Sequence, residues 1–214
     1  MKKLPRCNPV SVCGYHIRES GCTPAQEIAY AFMIAFAYID NVVARGYKAE
    51  DFVGRFSFNL NVYGNLWETV CKFRAARKLW ATLLRERYDV RNKKALFLRG
   101  IFGGGGSGMT KQQPENNIVR GAYYALAAAL SGAQTTALCS FDEAYTIPTE
   151  RAALLSLRTF QILMDEIGLR DTVDPLGGSY FIETVTKEME EKILEEMERI
   201  EKIGGMVEAV STGY

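Results

Sequence analysis

Histidine, tryptophan and proline are scarce in this chain of 214 residues, which holds one His, two Trp and six Pro. A single histidine and five cysteines without a CxxC pair provide too few spaced ligands for a metal site. The formal net charge of +1 gives no basic excess for the phosphates of a nucleic acid. No uninterrupted run of about 18 apolar residues is present either. The sequence thus predicts no metal, no nucleic-acid partner and no membrane span.

The cysteines themselves indicate a reducing compartment. They are odd in number, and two of them, Cys71 and Cys139, lie inside apolar runs where we expect buried, reduced thiols. The first ten residues, MKKLPRCNPV, carry charge but no apolar segment of signal-peptide length. These features predict a cytoplasmic location.

What the chain does contain is a regular alternation of strand-like and helix-like segments. The patterns predict strands over 10–17, 55–62, 95–102 and 133–140. They predict helices over 24–46, 66–88, 114–130, 149–167 and 186–203. Strands separated by helices are joined by right-handed crossovers, so the sequence predicts a parallel sheet.

Two of these segments have clear local signals, and one carries an unusual charge pattern. Thr23 before Pro24 is a strong helix start, with Thr as N-cap and Pro in the first turn. Residues 55–62 alternate strictly between apolar and polar side chains, as a strand with two different faces does. The helix over 66–88 has a basic stripe that we expect to be a solvated face: Lys72, Arg74, Arg77 and Lys78.

Parallel sheets of this kind occur in doubly wound folds and in (β/α)8 barrels. No strand is followed by GxGxxG together with the acidic residue that a dinucleotide-binding fold needs. Polar side chains instead crowd the carboxyl ends of three strands, where barrels gather their active sites. The predicted fold class is therefore α/β, with four β/α units of a (β/α)8 TIM-type barrel (a half barrel) and a C-terminal helix. We assign residues 1–185 to the partial barrel and 186–214 to a helical extension.

Three ionisable side chains follow strands at the predicted mouth of the barrel. His16 can donate a hydrogen bond to a carbonyl or act as a general acid, although a satisfied structural histidine is the commoner case. Glu19 and Glu143 can perform acid–base work or hydrogen-bond a ribose diol. They can equally be helix N-terminal acids that the helix dipole favours. Spacing alone leaves these alternatives open.

Arg55 and Ser57 lie at the second strand, and the glycine run 103–108 follows the third. An arginine can hold a carboxylate or phosphate through two hydrogen bonds, but a surface charge explains Arg55 equally well. The glycine run lacks the Lys-Ser/Thr pair of a P-loop. It is typical of a flexible linker or of a strand-end loop that lets a large ligand approach the backbone. Strand and helix signals continue on both sides, which favours the loop.

Beyond these patterns, the chain carries five ordered motifs that together resemble the adenosylcobalamin-dependent acyl-CoA mutases: GYHIRESG, RFSFN with FRAARKLW, QQPENNIVR, FDEAYTIPTERAALLSLRT and DTVDPLGGSYFIE. They are most similar to the large-subunit catalytic barrel of methylmalonyl-CoA mutases, and the similarity extends from about residue 10 to residue 205. The resemblance implies the C-terminal half of a (β/α)8 barrel threaded by coenzyme A. It also implies radical carbon-skeleton isomerisation with adenosylcobalamin, bound mainly by a domain absent from this chain.

The resemblance assigns roles to four residues by their motifs. His16 matches the histidine that hydrogen-bonds the substrate thioester carbonyl, and Tyr15 lies beside it in the pocket, which makes these two the expected catalytic residues. Glu19 and Glu143 match the two glutamates near the adenosyl ribose. For both carboxylates the resemblance therefore favours cofactor binding over proton transfer.

Substrate-binding positions are partly matched and partly changed. Arg55 and Ser57 match positions that contact the coenzyme A ester. Ile101 and Gly103 replace a His and a Gln that surround the substrate in methylmalonyl-type mutases, and residues 137–139 replace an HTN sequence. Each lost polar partner would leave part of the substrate carboxylate unsatisfied, at a cost of about 1–3 kcal/mol. These changes predict a different and bulkier branched acyl-CoA.

The resemblance also implies partners. The family's first barrel strands and its DxHxxG cobalamin-binding motif are missing from the sequence. We therefore expect one chain that supplies the N-terminal half barrel and a cobalamin-binding subunit, with activity only in their presence and with a homo-oligomer as a further option. The alternative is a catalytically silent half barrel that serves only in assembly, and a coenzyme A-binding barrel without radical chemistry is a third reading.

Overall fold

The computed structural model describes residues 7–214, so residues 1–6 of the segment considered above for a targeting signal lie outside it. The strands are β1 (Val10–Cys13), β2 (Phe56–Val62), β3 (Gly100–Gly104) and β4 (Thr136–Ala137). The helices are α1 (Tyr15–Glu19), α2 (Pro24–Val43), α3 (Leu66–Tyr88), α4 (Asn116–Leu130), α5 (Glu150–Asp165), α6 (Tyr180–Ile203) and α7 (Met206–Thr212).

The four strands form one parallel sheet in the order β1-β2-β3-β4. Val10 pairs with Phe56, Phe58 with Gly100 and Phe102 with Thr136. A doubly wound sheet reverses its strand order at a switch point, whereas consecutive barrel units stay in sequence order as these strands do. The predicted α/β class and the half-barrel architecture are confirmed.

Helix starts follow the side chains that satisfy the first backbone N–H groups. Thr23 caps α2, because its hydroxyl accepts from the Gln26 N–H at 3.2 Å while the Gln26 side chain accepts from the Thr23 N–H at 3.0 Å. Asn65 caps α3 in the same way, through the N–H groups of Trp67 and Glu68. The predicted start of α2 and both predicted ends of α3 are confirmed.

The strands are shorter than the sequence predicts. The third begins at Gly100 rather than at residue 95, because residues 95–98 form a turn whose apolar side chains are mostly buried without strand pairing. The first ends at Cys13 and is followed directly by α1, and the fourth pairs over Thr136–Ala137 alone. A run of apolar residues indicates burial, and in these places the buried segment is not a strand.

The core lies between the sheet and the helices α2 and α3. Trp80 of α3 is 1% exposed, and its ring centroid lies 4.9 Å from that of Phe58 on β2. Phe32 and Phe36 of α2 complete this aromatic cluster at 5.3 and 5.9 Å from Trp80. The apolar face of β2 is thus turned to the helices, which leaves the face that carries Ser57 and Asn59 half-buried.

The prediction that the basic stripe of α3 is a solvated face is wrong for three of its four members. Lys72 is 2% exposed and pairs with Glu27 of α2 at 2.6 Å. Arg74 pairs with Asp174 and, at 2.7 Å, with Glu183, and Arg77 lies half-buried against Gly132. Only Lys78 is largely exposed. The acidic helix α6 packs on α3 and covers part of the basic stripe. The sequence of α3 alone does not predict this contact.

Helix α6 starts at Tyr180, ahead of the residue 186 predicted from sequence. Ile193 and Ile200 are fully buried and join the same core as the residues of α2 and α3. The division of the chain at residue 185 stays a prediction. Within residues 7–214, no helix has both the length and the apolarity needed to cross a bilayer.

Candidate functional site

The candidate site lies at the carboxyl edge of the parallel sheet, where three connecting segments meet. Helix α1 follows β1, the glycine loop (residues 105–108) follows β3, and the segment 138–149 follows β4. The carboxyl ends of parallel strands lie at one edge, and side chains on these segments therefore meet there. Tyr15, His16, Glu19 and Glu143 of the predicted site all lie on these segments.

Tyr15 and His16 are neighbours on α1 with different surroundings. The Tyr15 hydroxyl donates to the Gly104 carbonyl at 3.4 Å. Burial, with additional repulsion from Cys139, Glu19 and Glu143, raises the pKa of Tyr15 to about 12, so its phenol stays protonated at neutral pH. His16 is exposed, its ring packs edge-on to Tyr15 at 5.6 Å, and no described residue hydrogen-bonds its imidazole. That geometry differs from the buried, satisfied histidine of the structural alternative.

Glu19 connects α1 to β2 and to the glycine loop. Its carboxylate accepts the backbone N–H of Ser107 at 2.9 Å and the Ser107 hydroxyl at 3.0 Å. It also accepts a hydrogen bond from the side-chain amide of Asn61 on β2. Three donors from two elements hold this carboxylate in one place.

The glycine loop packs against these side chains so closely that it needs its glycines. A Cβ on Gly105 would lie 2.4 Å from Asn61 Oδ1 and 2.6 Å from Glu19 Oε1. A Cβ on Gly103 in β3, by contrast, would meet no atom within 4 Å. Since β3 continues directly into this packed loop, the linker interpretation is excluded and the strand-end loop is confirmed.

The segment after β4 carries Glu143 and two polar neighbours. Glu143 is exposed, and its Oε2 accepts the Ser140 N–H at 3.1 Å. Asp142, which the sequence analysis gives no role, is buried and accepts hydrogen bonds from Ser140 and from both the N–H and the hydroxyl of Thr149. Burial opposes its ionisation, but these hydrogen bonds hold the pKa of Asp142 below its usual value. Asp142 thus fixes the segment that presents Glu143.

Cys139 joins this segment to β3. Its thiol donates to the Gly104 carbonyl at 2.7 Å, the same oxygen that Tyr15 contacts. Burial and the nearby Glu143 raise the pKa of Cys139, which keeps it a neutral thiol. Cys71 is buried as well, so the predicted burial of both thiols is confirmed.

Arg55 and Ser57 lie at the opposite end of β2, away from His16 and Glu19. Arg55 closes a short 3-10 turn that leads into the strand, and the Ser57 hydroxyl donates to the Val10 carbonyl at 3.3 Å. Ser57 lines a cleft of about 500 Å³ on the half-buried face of the sheet, together with Ser11, Asn59, Arg99, Ile101 and Thr135. The structure therefore separates the predicted residues into a group at the carboxyl edge and a group at the amino end.

Comparison with known proteins gives the family of this fold and site. The chain matches the family described as methylmalonyl-CoA mutase over residues 1–214. The chain belongs to the methylmalonyl-CoA mutase family. It is 40% identical to the 2-hydroxyisobutanoyl-CoA mutase large subunit of Aquincola tertiaricarbonis over 213 residues, which is 100% of this chain and 38% of that protein.

Other members of the methylmalonyl-CoA mutase family are nearly as similar. The methylmalonyl-CoA mutase of Rhizobium meliloti is 38% identical over 99% of this chain and 30% of its own length. The mitochondrial methylmalonyl-CoA mutase of Homo sapiens is 36% identical over 99% of this chain and 28% of its own length. The chain thus spans less than two fifths of the length of these relatives.

Sequence reasoning missed the residues that hold the site together. The sequence analysis gives no role to Asn61, Ser107 or Asp142, although Ser107 lies in the glycine run and Asp142 begins the acidic pair of the FDEA motif. The one available signal is Glu27, an acidic residue within the apolar face of α2, which is fully buried. A charge at such a position predicts a buried partner, though not its identity.

Proposed function

We propose that this chain is part of the catalytic subunit of an adenosylcobalamin-dependent acyl-CoA mutase, an isomerase that rearranges the carbon skeleton of a branched acyl-CoA. One observation supports this most directly. An exposed histidine without a hydrogen-bond partner among the described residues lies at the same edge of the sheet as two carboxylates, Glu19 and Glu143. The family relationship supplies the class of reaction, and these residues supply groups for its two ligands.

In this proposal, His16 donates a hydrogen bond to the thioester carbonyl of the substrate. The exposed imidazole, whose nitrogens contact no described residue, is available for that bond. Tyr15 is proposed to line the substrate pocket beside His16, where its neutral phenol adds no charge next to the reacting carbons. Neither residue transfers a proton, which agrees with a rearrangement that needs no acid or base.

Glu19 and Glu143 are proposed to accept hydrogen bonds from the ribose hydroxyls of the adenosyl group. The donor–acceptor chemistry fits, since Oε1 of Glu143 accepts no bond from the described residues and carboxylate oxygens accept more than one donor. Adenosylcobalamin, when bound, supplies the homolytic cobalt–carbon cleavage that starts the isomerisation. The contribution of this chain is to hold the ribose at a fixed position relative to His16.

The coenzyme A portion is proposed to extend along the half-buried face of β2. Ser57 at the amino end and Asn61 at the carboxyl end are four residues apart on a strand, which corresponds to about 13 Å. Arg55 ends the turn that leads into β2, two residues before Ser57, and we propose that it pairs with a phosphate or carbonyl oxygen of the coenzyme A portion. An extended ligand can thus contact both groups of predicted residues.

The acyl group is proposed to be branched, with an alkyl substituent where methylmalonyl carries its carboxylate. Ile101 presents an apolar side chain that is 46% exposed on the cleft, and Gly103 leaves open space two residues further along β3. An apolar wall with open volume favours an alkyl substituent over a second carboxylate. The 2-hydroxyisobutanoyl-CoA mutase relative makes 2-hydroxyisobutanoyl-CoA the first candidate substrate.

We propose that partner chains complete the barrel. The location proposed for the assembly is the cytoplasm. The edges of the sheet are β1 and β4, and α5 beside β4 exposes the apolar side chains of Leu154, Leu157, Ile162 and Met164. A chain with the N-terminal half of the barrel would cover both edges, and a cobalamin-binding subunit would cover the carboxyl edge. The alternative is a catalytically silent half barrel. It would bind partner chains through the same exposed surfaces, and His16 would not bind a substrate.

The decisive experiment combines this chain with chains that carry the N-terminal half barrel and the cobalamin-binding domain. Conversion of 2-hydroxyisobutanoyl-CoA and of methylmalonyl-CoA is then followed with and without adenosylcobalamin. Cofactor-dependent isomerisation that favours 2-hydroxyisobutanoyl-CoA is the expected result. Formation of a stable complex without any isomerisation would support the silent assembly module, and equal rates on both substrates would refute the substrate assignment.

A further inference from the structure

A buried ion pair lies directly behind the candidate site. Glu27 of α2 and Lys72 of α3 are 0% and 2% exposed, and Lys72 Nζ lies 2.6 Å from Glu27 Oε2. Burial lowers the pKa of Lys72, and the ion pair with Glu27 opposes that shift. A buried ion pair of this kind is often no more stabilising than a pair of apolar side chains of similar size. Its presence here points to a purpose other than stability.

Both charged groups also bind the backbone of one residue on β2. The Asn61 N–H donates to Glu27 Oε1 at 2.6 Å, and Lys72 Nζ donates to the Asn61 carbonyl at 2.5 Å. The pair therefore binds both the backbone N–H and the backbone carbonyl of Asn61, as the backbone of a neighbouring strand would.

The end of β1 explains why Asn61 needs such partners. In a parallel ladder, alternate residues bond to opposite neighbours. Phe58 and Val62 bond toward β3, through the Phe58 N–H to the Arg99 carbonyl and the Gly105 N–H to the Val62 carbonyl, so Asn61 faces the side of β1. However, β1 ends at Cys13, which pairs with Asn59. Glu27 and Lys72 replace the strand that is missing beyond that point.

The side chain of Asn61 passes this constraint on to the site. Its amide donates to Glu19, and Glu19 in turn binds the N–H and the hydroxyl of Ser107 in the glycine loop. A continuous set of hydrogen bonds therefore leads from the buried pair through Asn61 and Glu19 to Ser107.

We propose that Glu27 and Lys72 are positioning residues, which fix Asn61 and thereby set the place of Glu19 and of the glycine loop. They contact neither ligand of the proposed reaction. The use of Glu19 for the adenosyl ribose rests on the proposed function, whereas the positioning of Glu19 and Ser107 does not depend on it.

Amide hydrogen exchange at single residues tests this in the full chain, purified with the chains that co-assemble with it. The variant combines Glu27→Gln with Lys72→Met, which removes both charges and keeps the size of both side chains. We expect exchange at Asn61 and Ser107 to become at least roughly tenfold faster, with Phe58 unchanged because its N–H bonds to Arg99 on the other side of β2. Faster exchange at all three amides, or at none, would overturn the proposal.

Two further variants separate positioning from general loss of packing. Lys78→Met on the same helix removes the pair with Glu190, which does not contact β2, and should leave Asn61 and Ser107 unchanged. Asn61→Ala keeps the buried pair and cuts only the side-chain link, so Ser107 alone should exchange faster. This variant also decides the matter if the double variant does not fold, because protection of Ser107 that survives it refutes the proposed path.

The proposed function is tested separately in the same preparation. If the unmodified assembly shows no cofactor-dependent isomerisation, the proposed binding of ribose by Glu19 is refuted. The exchange results still decide whether Glu27 and Lys72 position Glu19. If the assembly is active, the double variant should weaken binding of 5′-deoxyadenosine, and unchanged binding would show that the positioning does not serve the cofactor.

Discussion

Substitution of Gly105 by alanine tests the close packing of the glycine loop. The new Cβ would lie 2.4 Å from Asn61 Oδ1 and 2.6 Å from both Glu19 Oε1 and Tyr63 Cδ1. The backbone φ of Gly105 is −82°, which alanine adopts freely, so no backbone strain adds to the steric effect. Asn61 and Glu19 are joined by a hydrogen bond, and Glu19 also binds Ser107, so these side chains move aside only if those bonds are lost. Overpacking of this kind costs about 1–3 kcal/mol.

The matched control is Gly103→Ala, two residues earlier. Its Cβ would meet nothing within 4 Å, and alanine there reduces the freedom of the unfolded chain, which stabilises by about 0.4–1 kcal/mol. Urea unfolding of both variants measures the difference. Because alanine reduces the freedom of the unfolded chain equally at both positions, the difference should equal the overpacking cost of about 1–3 kcal/mol in favour of Gly103→Ala. Equal unfolding midpoints for the two variants would refute the packing described for the loop.

Three further predictions concern charge, thiol reactivity and catalysis. Lys72→Met alone should lower the free energy of unfolding by about 3–5 kcal/mol, because Glu27 stays buried without its partner; a urea titration in which the double variant with Glu27→Gln loses as much would contradict this. Burial and, to a lesser degree, Glu27 raise the pKa of Cys22 from 9.0 to about 11, so at pH 8 its thiolate is about a hundredfold rarer than that of an ordinary cysteine. Iodoacetamide should therefore label Cys22 far more slowly than exposed Cys7, as peptide mass spectrometry would detect, and similar rates would exclude the described burial. His16→Ala should lower turnover of the assembled enzyme and leave cobalamin binding intact, and equal loss of both would assign His16 a structural role.

Features that depend on neighbouring residues in the chain were predictable from sequence. The cap at Thr23, the bounds of α3 and the alternation in β2 each arise from side chains within a few positions of the backbone they affect. The parallel order of the strands follows from their separation by helices. These local features are sufficient to predict half a barrel from the sequence.

Features that depend on distant residues were not predictable in this way. The basic stripe of α3 was expected in solvent, yet Arg74 is paired with Asp174 and Glu183, which are 100 and 109 residues away along the chain. Likewise, a pattern of residues does not reveal that Lys72 meets Glu27 behind β2. The positions of His16, Glu19 and Glu143 after strands marked them as candidates, and the resemblance supplied their roles. The groups that hold them in place are visible only in the three-dimensional arrangement.

The packing of α6 has a consequence for the order in which the newly made chain can fold. The Tyr30 hydroxyl on α2 bonds to Glu196 on α6 at 3.0 Å, and the two residues are 166 positions apart along the chain. At about 5–20 residues per second, a ribosome needs roughly 8–33 s to make that stretch. Throughout this interval the apolar faces of α2 and α3 that α6 later covers are exposed. During this interval chaperones can bind these apolar faces. The faces become buried when α6 has been made and packs against α2 and α3.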